Sequence, residues 1–136
     1  MPERTRVGID LVHVEEVSRS LERFGRRYVN RLFTPAEAAY CDAEPRTAAE
    51  RFAVRFAAKE AVFKALRAAD EAIDWRSVEV RRSPGGWCDI VLHGPMAALA
   101  ERSGVTELSL SMSHEAAYAT AVVVASGNFA NEGAAQ

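Results

Sequence analysis

Apolar positions change their spacing several times along the chain, and each regular stretch predicts one structural element. The longest stretch runs from Thr47 to Ala69, where good helix formers continue without Gly or Pro. It predicts one long central helix, with Thr47 capping its start. Apolar side chains recur along it at helical spacing and define a packing face, which carries Phe52, Phe56, Phe63 and Leu66.

The first alternating segment, Arg6 to Val12, predicts a strand whose apolar side chains are Val7, Ile9 and Leu11. Asp10 falls on the opposite phase of this strand. A single carboxylate in that position is typical of the solvent face of an edge strand. The alternation alone therefore assigns Asp10 no function.

Later alternating segments predict a hairpin and two final strands. Val78 and Val80 alternate with polar residues, Ser83-Pro84-Gly85-Gly86 has the composition of a turn, and Trp87 to Leu92 returns as the hairpin partner. Two further strands are predicted over 108–112 and 118–124, joined around His114-Glu115.

Shorter helices are predicted from their start and stop signals. The first spans Glu15 to Phe24 and ends near Gly25. Thr34-Pro35-Ala36-Glu37 is a capping box with proline at the first helical position, and the helix it starts ends before Glu44-Pro45. Another helix runs from Pro95 to Gly104. The predicted class is α+β, with an antiparallel sheet packed against the long central helix and the shorter helices.

Composition places the chain among globular proteins without adding a partner. Its 136 residues suit one domain, predicted over 1–127 with 128–136 as a flexible tail. The net charge of −2 gives no indication of nucleic-acid binding. No apolar run approaches the roughly 20 residues of a membrane span, and no secretory signal opens the chain. Cys41 and Cys88 lack metal-type spacing, so we expect reduced thiols and a cytoplasmic protein.

Arginine is concentrated in the segment around Gly25. If the helix continues or resumes past this glycine, most of these arginines share one side of it. Such a run is usually a solvated face, but on a mildly acidic chain it also suits the docking of an acidic partner. Between residues 19 and 31 the only acidic residue is Glu22, whereas the basic residues are Arg19, Arg23, Arg26, Arg27 and Arg31.

Charged residues on the central helix allow two interpretations. Glu60 and Lys64 are four residues apart, which is the spacing of an ordinary surface ion pair. Lys59 projects near the middle of the apolar face, where an ammonium is favourable only if it reaches water or meets an anion. Arg51 and Arg55 continue a basic line on the flank of the same helix.

Three segments resemble one enzyme family when they are taken in order. Arg55-Phe56-Ala57-Ala58-Lys59-Glu60-Ala61, followed by Lys64-Ala65, is similar to the signature helix of the holo-acyl-carrier-protein synthases, the small discrete 4′-phosphopantetheinyl transferases. Gly8-Ile9-Asp10-Leu11 resembles their first motif, and Ser111-Met112-Ser113-His114 their last. Phe33-Thr34-Pro35-Ala36-Glu37 matches a weaker element between them, so the resemblance covers Val7 to Ala125.

The resemblance implies a transferase that moves the 4′-phosphopantetheine group from coenzyme A to a serine of an apo acyl carrier protein and releases 3′,5′-ADP. Asp10 and Glu60 would bind Mg²⁺, with Mn²⁺ as an alternative ion. Lys64 would face the departing pyrophosphate, and His114 would contact the phosphates of the coenzyme. Further positive charge for those phosphates would come from Arg55, Lys59 and Arg51.

The same resemblance implies the transferase fold, a homotrimer with coenzyme in clefts between subunits, and an acidic carrier docked on the arginines between 19 and 31. Three departures from the family pattern leave the carrier and the donor selectivity open. Glu15 and Glu16 stand where basic residues are common. Arg67-Ala68-Ala69 is expected to continue the helix in place of a glycine loop, and Gly85-Gly86-Trp87 replaces Gly-x-Pro.

Two alternatives fit the same residues. A transferase serving a specialised polyketide or peptide carrier would suit the departures from the family pattern. A non-catalytic module that binds an acidic protein through its arginines would need none of Asp10, Glu60 and Lys64. RNA binding is disfavoured, because the chain lacks the basic surface interleaved with aromatics that single-strand recognition uses.

Overall fold

The computed structural model describes residues 3–68 and 73–129. Two short 3₁₀ turns, Pro45–Thr47 and Trp75–Ser77, accompany five helices and five strands in this part of the chain. In chain order these are β1 Arg4–His13, α1 Val14–Phe24, α2 Arg26–Leu32, α3 Pro35–Asp42, α4 Ala48–Ala65, β2 Val78–Arg82, β3 Cys88–Leu92, α5 Gly94–Ser103, β4 Val105–Glu115 and β5 Tyr118–Gly127.

The strands form two antiparallel sheets, where the sequence analysis predicted one. β1, β5 and β4 lie side by side in a three-stranded sheet, and β2 pairs with β3 as a separate hairpin. α4 packs across the three-stranded sheet and also contacts β2, so it is the central element of the fold. The predicted α+β class, with a long helix against antiparallel strands, is confirmed.

The alternation in β1 suggested that its apolar side chains are buried. In the structure the other face of the strand packs against α4. A methyl group added at Gly8 would lie 1.9 Å from the carbonyl oxygen of Ala61, so only glycine allows the helix this close. Gly8, Asp10 and Val12 therefore face the helix. Val7, Ile9 and Leu11, read as the buried face, are 59%, 58% and 65% exposed. The strand was predicted correctly, but its inner and outer faces were exchanged.

The open face continues onto the neighbouring strands of the sheet. Val124 and Val122 of β5 lie directly opposite Val7 and Ile9, so the apolar surface spans two strands. On β4 the same face carries Ser109, Ser111 and Ser113. No described element of the chain covers this surface.

α4 ends earlier than predicted. Leu66 caps it, and Arg67 takes the left-handed region with φ of 54°. The N–H of Ala68 donates to the carbonyl of Phe63, and that of Arg67 to Lys64, which is the Schellman pattern that usually has glycine at the left-handed position. The prediction that Arg67 and Ala68 continue the helix was therefore wrong, and Ala69 lies outside the described residues.

Local capping signals were mostly reliable. The capping box of α3 is formed, with reciprocal hydrogen bonds between Thr34 and Glu37. Gly25 separates α1 from α2, and Gly104 ends α5 in the left-handed region, as predicted. Thr47 occupies the N-cap position of α4, as predicted, but its hydroxyl donates to the carbonyl of Glu44, so its side chain does not cap the helix.

The packed part of the chain extends beyond the predicted domain end at 127. Phe129 is buried, and the guanidinium of Arg6 lies 4.2 Å from the centre of its ring. The backbone N–H of Asn128 donates to the carbonyl of Gly104. Asn128 and Phe129, the first two residues of the predicted tail, are therefore packed, whereas its residues 130–136 lie outside the described part. Within that part, no helix is both long and apolar enough for a membrane span.

Candidate active site

Asp10 and Lys64 meet where β1 crosses the last turns of α4. The ammonium of Lys64 donates to Asp10 Oδ1 at 3.1 Å and to the carbonyl of Ile9 at 2.9 Å. Thr120 on β5 donates its hydroxyl to the carbonyl of Asp10, which holds the strand at this point. The side chain of Asp10 is 18% exposed and that of Lys64 is 54% exposed, so the pair opens to solvent from the lysine side.

Glu60 lies one turn before Lys64, and its carboxyl interacts electrostatically with both Asp10 and Lys64. Burial raises the pKa of the Glu60 carboxyl, the negative charge of Asp10 raises it further, and Lys64 partly offsets both. Two carboxylates that repel each other beside one lysine favour a cation between them. The sequence analysis predicted these three residues together, and the structure brings them together.

The donor set fits Mg²⁺ bound jointly by protein and substrate. Among the described residues, no group of three or more His, Cys, Asp or Glu side chains is arranged to hold an ion alone. Mg²⁺ commonly takes one or two carboxylates and completes its shell with water and substrate phosphates. Asp10 and Glu60 supply that number of hard oxygen ligands.

A second part of the predicted site lies around the start of α4. His114 Nδ1 is 3.2 Å from Glu50 Oε2, and both line a groove of about 310 Å³. Arg55 is only 4% exposed, yet its Nε has no hydrogen-bond partner. A buried donor without a partner is energetically costly, so this nitrogen favours an acceptor. The basic and aromatic lining consists of Arg51, Arg55, Arg82, His114 and Tyr40.

Sequence reasoning missed Arg82 and Tyr40 in this groove. Arg82 continues the phase of Val78 and Val80, which point to the core, so strand alternation contained the signal for its direction. Tyr40 carried no such signal, because its position depends on how α3 packs on α4.

Lys59 does not fit its predicted place at the coenzyme. It is completely buried, and its ammonium donates to Glu37 Oε1 at 2.8 Å and to the carbonyls of Trp75 and Val78. Burial lowers the pKa of Lys59, although the charge of Glu37 opposes that shift. Glu37 also accepts from the backbone N–H of Val80, so Lys59 joins α4 to α3 and β2. Its anion is Glu37, and it faces no open groove.

The two parts of the site lie toward opposite ends of α4. His114 is held beside Glu50, whereas Asp10 is held beside Lys64. From Glu50 to Lys64 the helix rises about 21 Å at ~1.5 Å per residue. Along α4, Lys64 therefore lies about four turns beyond Glu50, the partner of His114.

The arginine-rich segment is less uniform than its sequence suggests. Arg19 pairs with Glu15 at 2.8 Å and Arg26 with Asp42 at 2.7 Å, both on the surface. Arg27 and Arg31 instead line an open groove of about 460 Å³. Its other walls are mainly aromatic and apolar, from Phe24, Tyr28, Leu32 and Trp75.

Comparison with known proteins connects this geometry to one family. The family model for the 4′-phosphopantetheinyl transferase superfamily matches residues 6–123. The chain is 44% identical to the holo-[acyl-carrier-protein] synthase of Koribacter versatilis over 118 residues, which is 86% of this chain and 94% of that protein. It is 46% identical over 121 residues to the protein of the same name from Desulforudis audaxviator, covering 89% and 92%. Its fold matches the ACPS–CoA complex of Chronobacterium ammoniagenes with a TM-score of 0.80 and 32% identity, covering 92% and 98%.

Proposed function

The chain belongs to the 4′-phosphopantetheinyl transferase superfamily, and we propose that it acts as a holo-acyl-carrier-protein synthase. It transfers 4′-phosphopantetheine from coenzyme A to a serine of an apo acyl carrier protein and releases 3′,5′-ADP. The observation that carries this proposal is the meeting of Asp10, Glu60 and Lys64 at the crossing of β1 and α4. A purely docking module has no need of that arrangement.

The residues act mainly by position and charge. As the serine oxygen bonds to the β-phosphorus of the coenzyme, the bond from that phosphorus to 3′,5′-ADP breaks. Lys64 stabilises the negative charge on the departing phosphate and is placed to protonate it. The salt bridge to Asp10, at 3.1 Å, fixes the position of the Lys64 ammonium before the substrate binds. Mg²⁺ or Mn²⁺ on Asp10 and Glu60 would act as a Lewis acid toward the pyrophosphate oxygens when bound.

The groove lined by Arg51, Arg55, Arg82 and His114, called the arginine groove from here on, is proposed to take the phosphate-rich nucleotide end of the coenzyme. Arg55 has an unused buried donor there, while Arg51 and His114 line the same wall. Because this groove is far from Lys64 along α4, we propose that the groove of one subunit and the carboxylates of another act on one coenzyme molecule.

Assembly into a homotrimer would bring such halves together. The uncovered face of the three-stranded sheet supports it, because Val7, Ile9 and Leu11 leave an apolar surface that an isolated chain exposes to water. A second and third copy burying this face would supply the stabilisation that a small domain lacks.

The carrier is proposed to dock at the groove lined by Arg27 and Arg31. Within residues 3–68 and 73–129, Arg27 and Arg31 form no salt bridge, and they meet aromatic walls there, which suits an acidic helix that also presents an apolar side chain. Carriers of fatty-acid, polyketide and peptide synthesis share this acidic character, so the groove does not choose among these pathways. Cytoplasmic location stays a prediction, consistent with Cys41 and Cys88 both being free thiols.

Transfer is tested by intact mass spectrometry of several apo-carriers incubated with the protein, coenzyme A and Mg²⁺. We expect one phosphopantetheine to be added to at least one carrier, with release of 3′,5′-ADP and no gain when the acceptor serine is replaced by alanine. No mass gain on any fatty-acid, polyketide or peptide carrier would contradict the proposal. Equal rates with and without a chelator would overturn the metal assignment alone.

A further inference from the structure

Three guanidinium groups surround one aromatic ring at the wall of the arginine groove. Tyr40 lies in the last turn of α3, and the guanidinium carbons of Arg51 and Arg55 are each 4.4 Å from its ring centre. That of Arg82 is 5.8 Å away and comes from the hairpin. The ring thus joins side chains from two separate elements, α4 and β2.

These cations have no acidic counterpart of their own. In residues 3–68 and 73–129, no carboxylate forms a salt bridge with any of the three arginines, and Glu50 in the same groove pairs with His114. Like charges held this close repel each other unless something offsets the repulsion. The face of an aromatic ring does so through its quadrupole, and it also fixes the plane of a guanidinium. Arg51 is tied further by donating to the carbonyl of Tyr40 at 2.9 Å.

We infer that Tyr40 is a positioning residue, which holds Arg51, Arg55 and Arg82 ready for the phosphates of the coenzyme. Arg55 is already restricted by burial, but without the ring the exposed Arg82 and the half-buried Arg51 would have to lose more conformational freedom when the anion binds, and that lowers affinity. Tyr40 touches no reacting atom, so its effect falls on coenzyme binding and leaves turnover unchanged. The identity of the anion rests on the proposed function, whereas the positioning by the ring does not.

Calorimetric titration with 3′,5′-ADP measures the effect on three variants. Tyr40→Leu removes the ring and should raise the dissociation constant roughly tenfold. Tyr40→Phe keeps the ring and should stay within about twofold of the wild type. Replacing Tyr40 with pentafluorophenylalanine keeps the shape but reverses the quadrupole, so it should weaken binding like leucine even if the leucine variant fails to fold.

A double-mutant cycle checks the coupling that the inference requires. Arg82→Gln should weaken 3′,5′-ADP binding in the wild-type background and have much less effect once the ring is removed. In transfer assays the ring variants should raise KM for coenzyme A with kcat unchanged. Unchanged affinity in the folded pentafluorophenylalanine variant would overturn the inference, as would equal losses from phenylalanine and leucine.

Inorganic pyrophosphate separates this inference from the proposed function. If the groove binds pyrophosphate with the same dependence on Tyr40 but does not bind 3′,5′-ADP, the positioning role stands and the coenzyme assignment fails. If the wild type binds neither anion, both are overturned. Binding of 3′,5′-ADP that is insensitive to the ring would retain the coenzyme site and remove Tyr40 from it.

Discussion

Single residues of α4 show why spacing alone could not assign every role. Lys59 and Lys64 belong to the same signature segment, and both were predicted at the phosphates. Lys64 reaches Asp10 at the surface, whereas Lys59 is buried against Glu37. Glu37 was recognised as part of a capping box, but its second partner is 22 residues away in the chain. Only the packing of α3 on α4 brings that pair together, and no local pattern records it.

Replacing Lys59 should destabilise the fold without acting through the coenzyme. Lys59→Met removes the charge and leaves Glu37 buried without its partner, which costs about 3–5 kcal/mol. The measurement is the free energy of unfolding in urea. The double variant Lys59→Met with Glu37→Gln is the control and should recover part of the loss. A loss below about 1 kcal/mol for the single variant would show that the buried pair has little structural importance.

Replacing Glu60 should have the opposite effect to replacing Lys59: the fold becomes more stable and transfer is lost. Its folded pKa is raised by burial and by Asp10. The folded state therefore holds this proton more tightly than the unfolded chain, and stability falls as pH rises through the window from the unfolded to the folded pKa. At pH 7 the ionised carboxylate is a net penalty in the metal-free protein.

Glu60→Gln should consequently raise the metal-free free energy of unfolding at pH 7, and the gain should vanish below the unfolded pKa of a glutamate. Transfer should fall by roughly a hundredfold or more, because an electrostatic partner of the transition state is lost. Thermal unfolding at pH 4 and pH 7, beside the transfer assay, checks both. A destabilised variant at pH 7, or one that retains transfer, would contradict the role given to Glu60.

For helices and strands, the caps and turns set by neighbouring residues could be predicted from the sequence. Close contacts between elements that are distant in the chain could not. The capping box of α3, the glycine ends of α1 and α5, and the β2–β3 turn depend on a few neighbouring residues, and each formed as predicted. The face of β1 depended instead on Gly8 admitting the backbone of α4. The end of α4 was missed because arginine takes the left-handed position that normally indicates glycine.

That left-handed position gives a prediction about the helix end. Arg67→Gly should stabilise the protein by about 0.5–1 kcal/mol, since a side chain at φ of 54° is strained and glycine is not. Thermal unfolding measures the change, with Arg76→Gly, outside any left-handed position, as the control. A destabilised Arg67→Gly variant would mean that contacts of the arginine side chain outweigh the strain of its backbone.

The arginine-rich helices give a prediction that separates the arginines paired with Glu15 and Asp42 from those that line the groove. Arg27→Gln with Arg31→Gln should weaken carrier binding roughly tenfold at low salt and reduce its salt dependence. Arg19→Gln with Arg26→Gln changes the net charge equally but removes cations already paired with Glu15 and Asp42, so we expect little effect. Titrating the carrier at several salt concentrations, with 3′,5′-ADP binding measured in parallel, tests this. Equal losses from both double variants would indicate a general charge effect and no specific dock.

At the level of the whole molecule, two features support the proposed trimer: an uncovered apolar sheet face and the length of α4. Val7, Ile9 and Leu11 lie on the open face, while Lys64 and Glu50, the partner of His114, lie toward opposite ends of α4. The sequence indicated both sets of site residues through a resemblance. Their separation could not be predicted, because it depends on the direction in which α4 crosses the sheet.

In the proposed trimer, the carboxylates of one chain and the arginine groove of another act on the same coenzyme. Mixing two inactive variants tests this shared site. Glu60→Gln and His114→Ala are each expected to lose transfer when assembled alone. After co-expression, about a quarter of the sites in random mixed trimers would combine intact halves, so phosphopantetheine transfer should return to about a quarter of the wild-type rate. Mixed oligomers that form but remain as inactive as either variant would show that each site is built from a single chain, and would contradict the account.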